Sequence, residues 1–116
     1  MLINPSLQMA AGIVLLALWA RPALAAGPLP CQAEAVAQAH KLLAFHSNND
    51  DRAHVDENSV RQLPSIVNPA NKKQRFLVLE TWGHIYKGHY RMRLIYYSMQ
   101  KECVLMGQEI LALANL

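Results

Sequence analysis

The sequence predicts an α+β domain, in which one N-terminal helix packs on an antiparallel sheet of three to four strands that ends in a C-terminal meander. Three observations carry this. Residues 31–46 are Ala-rich and helically periodic, whereas residues 76–86, 90–97 and 103–111 are β-rich runs joined by short connections. Two cysteines complete the pattern, Cys31 at the start of the helix and Cys103 in the last run.

Within the helix, Val36, Ala39/His40 and Leu43 recur at i, i+3/4 and i+7 and mark the face expected to pack. Residues 47–51, Ser-Asn-Asn-Asp-Asp, favour turns and caps and end it. Residues 52–56 suit a short strand with Val55 inward, and 56–59 read as a turn. Pro64 limits the stretch 60–67 to an edge strand or irregular chain, because proline cannot donate to a ladder. Residues 68–73 form a polar loop. There is no internal repeat and no low-complexity tract.

Register in the meander follows from segregation of side chains, since a one-residue slip moves every side chain to the other face. A two-residue turn at Lys87-Gly88, with Gly88 supplying positive φ, sets Tyr86 opposite His89, Ile85 opposite Tyr90, Gly83 opposite Met92, Thr81 opposite Leu94 and Leu79 opposite Tyr96. One face is then nearly apolar. A four-residue turn at 98–101 sets Tyr96 opposite Cys103 and Leu94 opposite Leu105, so Cys103 joins the face on which the helix packs.

The opposite face collects Glu80, Trp82, His84, Arg91, Arg93, Ile95, Tyr97, Val104, Met106 and Ile110. Arginine and aromatic residues among apolar ones are the composition of protein–protein interfaces. Trp82, Arg91, Arg93, Tyr97 and His84 are the candidate binding residues. Two readings stand side by side: this face meets a partner, or the segment 50–73 folds back and covers it.

Residues 1–25 read as a cleavable secretory signal peptide. An apolar run at 12–20 is ended by Arg21-Pro22, and Ala23-Leu24-Ala25 supplies a small-x-small exit. The run is shorter than the ~20 residues a transmembrane helix needs. No Lys or Arg precedes it, and an uncleaved anchor is the alternative. Pro28 and Pro30 before Cys31 do not suit lipoprotein processing. The expected mature part, 26–116, is one small domain that meets the membrane only during export.

Arg21 would leave with the signal, so ten Lys/Arg face eight Asp/Glu, a net charge of +2 with histidine neutral. That balance is too modest to imply nucleic acid. A core this small is marginal without a staple, and an oxidising compartment favours a Cys31–Cys103 disulfide. Charge is uneven: residues 72–101 hold seven basic residues and one acid, Glu80, whereas 34–57 hold five acids and two bases. An anionic surface would suit the basic hairpin.

Chemistry is sparse. His46 and His54 flank Asp50 and Asp51, which makes a divalent-ion loop the alternative function. His84 and His89 fall on one hairpin but offset along it. No His-x-x-x-His or Cys-x-x-Cys spacing, Gly-x-Ser-x-Gly elbow or phosphate-binding loop is present, so no cofactor and no catalytic activity are expected.

The stretch 78–96, Val-Leu-Glu-Thr-Trp-Gly-His-Ile-Tyr-Lys-Gly-His-Tyr-Arg-Met-Arg-Leu-Ile-Tyr, followed by Cys103-Val-Leu-Met-Gly-Gln-Glu-Ile110, resembles a set of short exported proteobacterial proteins of uncharacterised function. It covers about the last third of the chain and carries over no activity or site. It implies a periplasmic or secreted protein of a Gram-negative bacterium. The order of elements is also cystatin-like in outline, an analogy of shape alone. The inhibitory Gln-x-Val-x-Gly loop of cystatins is absent. The function expected is that of a small exported binding module, acting on a protein partner or a second copy of itself through the Arg–aromatic face.

Overall fold

The computed structural model describes residues 27–113, and the expected signal segment lies outside them. One helix, α1 (Gln32–His46), precedes four strands, β1 (Ala53–Asn68), β2 (Asn71–Ile85), β3 (Gly88–Met99) and β4 (Glu102–Leu113). They form one antiparallel sheet in the order β1-β2-β3-β4. The α+β class, the helix and the meander are as the sequence predicts. Among the described residues no helix is long and apolar enough to cross a membrane.

The face that α1 buries is offset by one residue from the expected one. Ala35, Ala39, Leu42 and Leu43 are buried, while Val36 is half-buried and His40 is exposed. The small side chains of Ala35 and Ala39 let the helix lie close on the sheet, where Val55, Leu79, Met92, Leu94 and Tyr96 complete the core. Packing is tight at Gly83, where a β carbon would lie 2.9 Å from the His54 carbonyl oxygen and 2.9 Å from Leu43 Cδ2. At the end of the helix Asn48 and Asn49 take left-handed φ angles of 55° and 59°, and the Asn49 amide donates back to the Ala44 carbonyl. Asparagine tolerates that conformation better than most residues.

The segment 53–68 corrects two expectations. It is a single long edge strand, and the stretch 56–59 is a bulge within it, between the pairs Asp56–Trp82 and Arg61–Glu80. The expected loop at 68–73 shrinks to a turn at Pro69-Ala70, and Asn71 already pairs with Asn68. Pro64 sits at a second irregularity, between Leu63–Val78 and Ile66–Phe76, where its missing N–H costs no ladder bond.

Both hairpin turns are displaced from their expected places. The first turn is Tyr86-Lys87, with Ile85 opposite Gly88, Gly83 opposite Tyr90 and Leu79 opposite Leu94. Tyr86, not Gly88, takes the positive φ, 55°. At Gly88 a β carbon would lie 3.1 Å from the Tyr90 ring, a tight contact. The second turn is Gln100-Lys101, with Ser98 opposite Cys103 and Tyr96 opposite Leu105. Each pairing is two residues away from expectation. An even slip leaves every side chain on its expected face, so the two faces survive the correction.

One strand does change faces. Between Tyr96–Leu105 and Ile95–Gly107 the ladder gains a residue on β4 at Met106. Beyond this bulge the alternation inverts. Ile110, expected on the outer face, stands opposite Met92 and packs on the core, and Gln108 accepts a 2.8 Å hydrogen bond from Gln38 on the helix. Leu111 and Leu113 take the outer positions instead. The physical reason is that a bulge leaves one residue unpaired and so shifts the rest of its strand by one step of the two-residue period.

The disulfide pairs Cys31 with Cys103, Cα atoms 5.9 Å apart, and joins the start of α1 to β4. That separation lies inside the range a disulfide spans.

Candidate functional site

The face of the sheet away from α1 is built in rows, each formed by directly opposed residues of neighbouring strands. Because β1 lies at the edge of the sheet, the segment 50–73 does not fold over this face. Among the described residues nothing forms a second layer there.

Glu80 is the centre of the face. Although it stands on the side away from α1, it is only 1% exposed. Arg61 of β1 and Arg93 of β3 stand directly opposite it and close over it. Arg61 Nε donates to Oε1 at 3.0 Å, and Arg93 Nε donates to Oε2 at 3.0 Å. Burial pushes the Glu80 carboxyl upward, and the hydrogen bonds and charges of Arg93 and Arg61 outweigh it, holding the pKa below the ordinary glutamate value. Arg93 also reaches Glu109 of β4, at 3.7 Å.

Trp82 and Arg91 form the next row, with Asp56 opposite Trp82 on the other side. The Trp82 amide donates to the Ser59 hydroxyl at 2.9 Å, and that hydroxyl in turn donates to the Asp56 carbonyl at 2.6 Å. A side chain from the bulge thus replaces the ladder partner that the bulge removes. Arg91 is less well supplied than its neighbours: its Nε is buried without a hydrogen-bond partner, and the nearest Glu80 oxygen is 3.8 Å away. Three guanidinium groups therefore meet two carboxylates, Glu80 and Glu109, leaving one positive charge in excess.

Apolar residues flank the charged rows. Phe76 packs edge-to-face on Tyr97, ring centroids 6.3 Å apart. Val104, Met106, Leu111 and Leu113 along β4 are all more than a third exposed.

The sequence-predicted binding residues Trp82, Arg91, Arg93, Tyr97 and His84 all lie on this one face. Arg93 has a structural partner in Glu80, so its part is first to close the charge cluster. Arg61 and Glu80 were not among the candidates. The pairing of a lone acid with an arginine across the hairpin was the available signal, because it favours Glu80 opposite Arg93 over Glu80 opposite Ile95.

The alternative metal loop is not assembled. The His46 ring packs on Tyr90 on the helix side, whereas His54 packs on His84 on the outer face. Asp50 is held by Arg52, whose Nη2 lies 2.7 Å from its carboxylate. The Arg52 hydrogen bonds bring the Asp50 pKa down to about 2. Asp51 lies exposed in the adjoining turn. Among the described residues no group of three His, Cys, Asp or Glu is gathered to hold an ion. His84 and His89, expected to be offset, are instead directly opposed.

No protein-family model, no curated protein and no solved structure matches the chain.

Proposed function

We propose that this protein is a small exported binding module, without catalytic activity, that takes a protein partner on the outer face of its sheet. One observation carries the reading: β1 extends the sheet sideways, so Trp82, Arg91 and Tyr97 stand on a face with no second layer among the described residues. The unmatched Arg91 Nε and the excess positive charge suit a partner that brings a carboxylate to an aromatic surface. A second copy of the chain counts as such a partner. Export to the periplasm or beyond belongs to the same reading, supported by the Cys31–Cys103 bond and the N-terminal sequence. The cystatin-like outline also stays part of it, resting on one helix laid across a meander, and it brings no protease inhibition.

The test compares full chains carrying Trp82→Ala or Arg91→Ala with the wild type, by sedimentation velocity and by co-purification from the exported fraction. Neither residue anchors the core, so both variants should keep the native circular dichroism spectrum. Loss of self-association or of a co-purifying protein in both is the expected result. Complexes of undiminished strength in both variants refute the reading.

A further inference from the structure

The observed register of the first hairpin creates a feature that the expected one lacks. His54 of β1 stands directly opposite His84 of β2, and His84 stands directly opposite His89 of β3. Three imidazoles thus lie in one row across three neighbouring strands, all on the outer face. The His54 and His84 ring centroids are 5.0 Å apart, and those of His84 and His89 are 6.2 Å apart.

We propose that His54, His84 and His89 form a site for a divalent transition-metal ion, zinc being the reference case. The distances support this. Two imidazoles that share an ion at metal–nitrogen bonds of 2.0–2.1 Å have ring centroids about 4.5–5.2 Å apart for octahedral to tetrahedral angles. The His54–His84 pair already lies in that range. The His84–His89 separation exceeds it by about 1 Å, and His54 and His89 flank His84 on opposite sides, so both outer rings must lean over His84 to share one ion, which accounts for the absence of a ready three-donor cluster among the described residues.

Closing that gap breaks nothing else. Among the described residues none of the three rings has a hydrogen bond or an ion pair, and each ring contact they make is with another of the three. His54 and His89 are exposed and His84 is half-buried, so an ion reaches the row from solvent. His89 comes just after the Tyr86-Lys87 turn, at the end of the hairpin. Three neutral imidazoles with a fourth position open to water is a ligand set that suits zinc, copper and nickel over calcium or magnesium.

The site does not rest on the protein-partner reading, and the two separate experimentally. The full chain, disulfide intact and without a polyhistidine tag, is stripped with chelator and titrated calorimetrically with Zn²⁺. Co²⁺ is then added to read ligand geometry from its visible absorption. One Zn²⁺ per chain is expected. His84→Ala and His54→Ala should each weaken it by roughly tenfold or more, while His40→Ala, His46→Ala and Trp82→Ala leave it unchanged. Folding of each variant is checked by circular dichroism. No heat above the buffer blank overturns the proposal. So does undiminished binding in the His54→Ala/His84→Ala/His89→Ala triple variant, or one ion per two chains.

Discussion

Arg93 Nε lies 3.0 Å from Glu80 Oε2 on the face of the sheet away from α1, and with Arg61 it leaves that carboxylate 1% exposed. The face away from α1 thus has a buried ion cluster of its own. Two arginine stems supply the apolar cover that a second layer would otherwise provide.

Glu80→Gln should therefore destabilise the domain by about 1–3 kcal/mol, because hydrogen bonds to a charged group are lost while Arg61 and Arg93 remain partly solvated. The wild type should also be acid-sensitive at this site. Its folded carboxyl titrates below the unfolded one, so the stabilisation is present above the unfolded glutamate pKa and is lost as pH falls through the folded value. Urea midpoints measured from neutral pH down to pH ~3 should fall more steeply for the wild type than for Glu80→Gln. Parallel curves refute the assignment.

Tyr96 gives the opposite sign at the alkaline end. Burial, aided by the Glu34 charge, raises its pKa to about 12. Its neutral form is favoured in the folded state, so the stabilisation is whole below about pH 10 and disappears as pH rises towards 12. Tyrosinate absorbance should show one tyrosine ionising together with unfolding. Four tyrosines titrating near pH ~10 in the folded protein contradict this.

Gly83→Ala should cost about 1–3 kcal/mol, since the new methyl meets the His54 carbonyl oxygen and Leu43 together and backbone cannot swing aside. A Leu43→Ala background should relieve part of that cost. Strict additivity in a double-mutant cycle rules out the contact.

Ser59→Ala leaves the Trp82 amide without its hydroxyl acceptor and should cost about 1–3 kcal/mol. Hydrogen exchange at the Trp82 amide should accelerate more than at Leu79. Equal protection at both places the acceptor elsewhere.

Replacing both Cys31 and Cys103 by alanine opens a loop with a sequence separation of 72 and should cost about 4 kcal/mol by the chain-entropy estimate. In a domain this small that approaches the whole stability, so the double variant should be largely unfolded at 37 °C. A thermal midpoint within a few degrees of wild type counts against the staple.

What the sequence alone determined was set by patterns of period two and 3.6. Alternation in residues 76–97 separates an apolar face from an Arg–aromatic one, and the Ala-rich stretch 31–46 carries helical periodicity. Those faces, the helix and the Cys31–Cys103 pairing were legible for that reason. Period two cannot, however, distinguish registers two residues apart. For Glu80 opposite Arg93 and not Ile95 the charge pairing was the one further signal, and only the folded sheet decided that His84 meets His89 and not Arg91. The same blindness hides the Met106 bulge, because one unpaired residue leaves the local composition unchanged while it sends Ile110 inward and Leu111 outward. Whether residues 53–68 cover the outer face or widen the sheet was likewise a tertiary matter. It was settled by backbone hydrogen bonding along β2, which the side-chain pattern of that segment does not encode.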